Sequence, residues 1–83
     1  MKKEDFPKDR TYANLYRAVS RCNYKKVDQY AHELRDIANK FEFEQLSDQC
    51  ESIINAIRIK CEKGIPGLFK DLEAEYERII RGL

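Results

Sequence analysis

Apolar residues recur along this chain at intervals of three and four, in four separate runs. That spacing places one side of each run on a single face of a helix. The first run, about Asp9 to Arg21, carries Tyr12, Leu15, Val19 and Cys22, with Pro7 and Asp9 as a start signal and Asp9 as N-cap. The second, about Tyr24 to Lys40, carries Val27, Tyr30, Ala31, Leu34, Ile37 and Ala38 and leads into Phe41, with Asn23 placed to cap it. The third, about Phe43 to Glu62, alternates threes and fours through Phe43, Leu46, Cys50, Ile53, Ile57 and Cys61, the spacing of a bundle seam. Gly64 then marks a stop and Pro66 a helix start. The fourth run uses Ile65, Leu68, Leu72, Tyr76 and Ile79, with Leu83 a further candidate.

No run alternates with period two, no glycine-rich loop occurs, and no internal repeat is visible. The fold class expected is all-α. Short connections place consecutive helices side by side and antiparallel, so the architecture expected is an up-down-up-down four-helix bundle in one domain, residues 1–83, with 1–8 a flexible N-terminal segment. A three-helix core with a loose first helix is the alternative. Helices of this length with one apolar stripe do not stand alone, so packing must hold them. Leu34, Leu46, Ile53, Ile57, Leu72 and Tyr76 are expected in the core. Lys25, His32, Arg35 and Asn39 are expected in solvent.

Composition narrows the function classes. Charged residues make up 37% of the 83 residues, yet the formal net charge is only +1. A balance of that kind argues against nucleic acid as an obligatory partner. Runs such as SIINAIRI are too short to span a bilayer, so no membrane association is expected. The segment MKKEDFPKDR is basic but has no apolar stretch behind it, so it does not read as a secretory signal. Three cysteines, Cys22, Cys50 and Cys61, fall at apolar helix positions and form no Cys-x-x-Cys pair. Buried free thiols in a reducing, cytoplasmic setting are expected, and no metal or cofactor.

The candidate chemistry lies in QYAHELRDIANKF, residues 29–41, which holds the one histidine of the chain. At about 100° per residue, Val27, Tyr30, Leu34, Ala38 and Phe41 share one sector and His32 falls nearly opposite. Lys25, Asp28, Gln29, Arg35, Asp36 and Asn39 surround it. A single surface imidazole needs no function of its own. One imidazole with Asp28 and Asp36 makes a poor metal site, and hydrolase chemistry is not expected, because no cysteine shares this face and an open helix surface neither excludes water nor supplies an oxyanion hole. Phosphoryl relay is the chemistry that suits an exposed ring. The imidazole is nucleophilic near neutral pH, and a partner's site can supply everything else.

These residues resemble the histidine-containing phosphotransfer (HPt) domain of bacterial two-component phosphorelays, whose motif reads Ala-His-x-Leu-Lys-Gly, with a later turn glycine and a leucine on the next helix. Ala31, His32 and Leu34 match in place, Arg35 stands for the lysine, and Leu46 sits at the expected distance. NYKKVDQY before the motif and GIPGLFKDLEAEYERII in the last helix extend the resemblance over about residues 12–81. Two departures stand out: the motif glycine is Asp36 and the turn glycine is Glu42.

The resemblance implies a four-helix bundle with His32 as phosphoryl acceptor. Lys25 and Arg35 would orient phosphate, and Asp28, Gln29, Asp36 and Asn39 would line the docking face. The partner implied is the receiver domain of a response regulator or a hybrid histidine kinase, met by a monomer. Asp36, one turn from the ring, is expected to contact it and to act as a brake. Two other readings follow from the same residues. One is an HPt-like module that binds a receiver or kinase but handles phosphate poorly. The other is an unrelated helical adaptor.

Overall fold

A computed structural model describes residues 10–82. It contains four α-helices: α1 (Thr11–Ser20), α2 (Tyr24–Lys40), α3 (Glu44–Arg58) and α4 (Ile65–Gly82), with a short 3-10 turn, Glu62–Gly64, before the last. No strand occurs among the described residues. α2 packs against both α1 and α3, α4 packs against α3, and α1 meets α4 more sparsely. The result is an all-α four-helix bundle around one core.

That core is continuous. Leu15, Val27, Ala31, Leu34, Ala38, Leu46, Cys50, Ile53, Ile65 and Leu72 are all at most 1% exposed. Two of α2's core positions are alanines, so neighbouring backbones can approach it closely. α1 joins α4 through aromatic rings instead: Tyr12 stacks on Tyr76 with centroids 3.8 Å apart, and Phe69 lies 5.9 Å from both Tyr12 and Tyr16. The Tyr12 hydroxyl donates to Glu73 Oε2 at 3.4 Å. Burial, then the Glu73 charge, holds that phenol above its ordinary range.

The first three helices stop in the same way. Each is followed by a C-cap residue, then a residue of positive φ: Cys22 (55°), Glu42 (63°) and Lys60 (59°). Around each, a pair of reversed hydrogen bonds satisfies the last carbonyls. Asn23, Phe43 and Cys61 donate to Ala18, Ala38 and Ala56, while Cys22, Glu42 and Lys60 donate to Val19, Asn39 and Ile57. Asn23 at once caps α2, its side chain accepting from the Lys26 N–H at 3.5 Å.

Several expectations need correction. α3 ends at Arg58, four residues early, because the left-handed turn at Lys60 stops it before Gly64, which closes the 3-10 turn instead. Cys22 and Cys61 are exposed, since both lie in turns beyond the helices whose period they seemed to continue; only Cys50 is buried. α4 is rotated relative to its expected stripe. Phe69, Leu72, Glu75 and Ile79 are buried, and Tyr76 is half-buried, as is Ile57 on α3. α1's N-cap is Arg10, without a side-chain cap bond. Pro7, Asp9, segment 1–8 and Leu83 lie outside the described residues.

Candidate functional site

His32 sits on α2, on the side away from Val27, Ala31, Leu34 and Ala38. Its side chain is 43% exposed. The helix repeat explains the placement: His32 is one residue past buried Ala31 and two before buried Leu34, which turns it out of the core sector. The carboxylate beside the ring is Asp28, whose Oδ1 lies 3.5 Å from Nε2. Asp36, expected to contact the ring, faces Arg35 instead, with 3.6 Å between Oδ1 and the guanidinium. The direction of helical side chains accounts for the exchange. They lean toward the helix N-terminus, so a ring at position 32 covers the turn holding residue 28 rather than 36.

Arg35 is less exposed than expected, with 28% of its side chain accessible. It reaches toward α3, where Glu51 Oε1 lies 3.6 Å from its second guanidinium nitrogen. A cation one turn from His32 is therefore held between a carboxylate of its own helix and one of the next. Lys25, Gln29, Asp36 and Asn39, all on α2, are exposed, and Asp28 is half-buried. Lys25 lies two turns before the ring and forms no ion pair among the described residues.

Glu51 carries no local sequence signal as a partner of Arg35, because the pairing depends on how two helices are set against each other. Glu75 was also missed. It is 6% exposed in α4 and accepts from Arg78 Nε at 2.9 Å, with a second contact to the same guanidinium. The spacing of Glu75 and Arg78, three residues on a helix, is a signal that could have found this pair.

Among the described residues no group of three or more His, Cys, Asp or Glu side chains is placed to hold a metal ion. No helix there is long and apolar enough to cross a membrane. Chemically, the α2 face offers one accessible imidazole, an arginine held beside it, and carboxylates on both flanking turns. Compared with protein-family models, with curated proteins and with solved structures, the chain gives no match.

Proposed function

We propose that this chain is a histidine phosphotransfer module, taking a phosphoryl group onto His32 from one signalling partner and passing it to another. The observation that carries the reading is the accessible imidazole on the outer face of α2 with Arg35 held one turn away. The backbone ten residues on supports the motif register: Glu42, at the family's turn-glycine position, has a φ of 63°, the left-handed conformation glycine favours. Leu46, the motif's distal leucine, is fully buried. Short turns joining helices that pack as successive neighbours fit an antiparallel up-down-up-down order.

In this reading a ring nitrogen attacks the phosphorus of an aspartyl phosphate in a receiver domain. The P–N bond forms as the P–O bond breaks, the receiver carboxylate leaves, and the ring N–H proton passes to solvent. Arg35, one turn after the ring, would meet the phosphoryl oxygens, with Lys25 the second cation two turns before it, and Gln29 and Asn39 would lie under the docked partner. Two exposed cysteines suit a reducing compartment, hence the cytoplasm.

A second reading is favoured by the Asp28 contact. A carboxylate against Nε2 opposes a phosphoryl group there, and an HPt-like module that binds a receiver without accepting phosphate fits that arrangement. Incubating the chain with a phosphorylated receiver separates the two. Acid-labile phosphate on the wild type, absent from His32→Gln, supports transfer. Receiver binding without label supports the second reading. Label that persists in His32→Gln overturns the assignment.

A further inference from the structure

On the opposite edge of α2 from His32 lies a second feature. A cavity of about 220 Å3 opens between α1 and α2, bounded by Arg17, Arg21, Lys26, Asn14, Asn23 and Tyr30 over buried Ala18. None of these residues is acidic. Among the described residues, neither arginine nor Lys26 is in an ion pair. In a chain whose charges nearly cancel, three cations around one hollow with no counter-charge among the described residues form a segregated patch.

Local helix physics does not account for the patch. Arg17 and Arg21 are four residues apart on α1, where like charges repel. A cation near the end of α1 complements the helix dipole, but Lys26 lies in the first turn of α2, the end where a cation is disfavoured. That turn contains no acidic residue at all. Asn23 uses its Oδ1 on the Lys26 N–H, which leaves its Nδ2 group to donate. Tyr30 adds a hydroxyl, and two guanidiniums add planar, forked donors. A hollow this small lies below the usual range of whole-ligand pockets and suits one compact group.

We infer that the α1–α2 cleft is an anion site for a phosphate monoester or inorganic phosphate, bound by Arg17, Arg21 and Lys26. The donor set exceeds what one carboxylate can accept, whereas a phosphate dianion presents three terminal oxygens and offsets two of the three positive charges. The site does not use His32 and stands apart from the phosphotransfer reading.

The test is a titration of the isotopically labelled full chain at pH 7.5 and constant ionic strength, followed by amide resonances, with inorganic phosphate, phenyl phosphate and acetate in parallel. Saturable shifts centred on Arg21, Asn23 and Lys26 are expected with the phosphates, and weaker ones with acetate. Arg17→Gln and Arg21→Gln, both at exposed positions, should each weaken phosphate binding by about tenfold. His32→Gln should leave it unchanged. Tighter binding of phenyl phosphate than of phosphate points to an esterified ligand, and the reverse to free phosphate; either supports the site. Shifts that fail to saturate, acetate binding as tight as phosphate, or affinity unaffected by both arginine variants would overturn it.

Discussion

The two faces of α2 are built to different rules. Toward the core, Val27, Ala31, Leu34 and Ala38 are at most 1% exposed and contribute nothing but shape and apolar area. Toward solvent, Asp28, His32, Arg35 and Asp36 keep side chains between 28% and 67% exposed and contribute almost nothing to the core. Stability and chemistry are thus separated by half a turn of one helix. Exposed ion pairs of this kind are worth little, a median near 0–1 kcal/mol. Changes on the outer face should therefore leave the fold nearly unmoved.

The sharpest way to break that contrast is to exchange its two sides. Leu34→Ala should cost about 2–5 kcal/mol, since a fully buried leucine leaves a cavity that its neighbours only partly fill. For a domain of this size that is much of the total stability. His32→Gln should change stability by less than about 0.5 kcal/mol. Urea unfolding of the two variants measures both. Comparable losses would mean that the imidazole contributes to packing and that the two faces are not independent.

The pattern of α2 was almost fully legible, because one regular stripe over 17 residues determines both its bounds and its phase. Tyr24–Lys40 is the expected span and the observed one. Legibility failed where an apolar residue lay beyond a helix end. Cys22 and Cys61 continue the periodicity of their runs, but periodicity says nothing about whether the chain is still helical. The stop signals were non-glycine residues in left-handed turns, and nothing in a cysteine, a glutamate or a lysine announces that conformation. In α4 an abundance of apolar residues allowed two phases, and the observed one buries Phe69 and Glu75 and leaves Leu68 and Tyr76 half-buried. For the candidate site, the sequence identified the face around His32 but not the pairing on it. Arg35–Glu51 depends on inter-helix geometry, and the choice of Asp28 over Asp36 depends on which way helical side chains lean.

A second contrast separates the three thiols. Cys50, on the core side of α3, has its pKa pushed up to about 12, mainly by burial, because a thiolate there would lose its water. A raised pKa for an acid means that the folded state holds the proton more tightly than the unfolded one. Its contribution is fully present below about pH 9 and is lost as pH rises toward 12, on the order of a few kcal/mol at most. Two of three thiols should react with a disulfide reagent at pH 8 in the native protein, Cys22 and Cys61, and the third only on unfolding. Alkaline titration of wild type against Cys50→Ala should show the wild type losing more of its stability between pH 9 and 12. Reaction of all three native thiols at pH 8 would contradict the burial of Cys50.

The smallest effects come from the two positions where the resembled family has glycine, and here the backbone predicts opposite signs. Glu42 follows α2 with φ at 63°, a conformation that costs an ordinary L-residue about 1–2 kcal/mol. Glycine removes that cost but brings a freer unfolded chain, so Glu42→Gly should stabilise by a net of about 0.5–1 kcal/mol, a few degrees in Tm. Asp36 lies inside α2 in ordinary helical conformation and faces Arg35. Asp36→Gly should therefore destabilise, by about 0.5 kcal/mol, through helix propensity and the lost ion pair. On the outer face the same change lowers the surface one turn from His32 and removes a negative charge. If His32 accepts phosphate, Asp36→Gly should speed transfer while lowering Tm, whereas Glu42→Gly should raise Tm and leave transfer unchanged. Thermal melts and labelling rates of the two variants, taken side by side, decide the matter. A transfer rate that tracks Tm in both would show that phosphoryl chemistry here is limited by fold stability and not by the face that carries the ring.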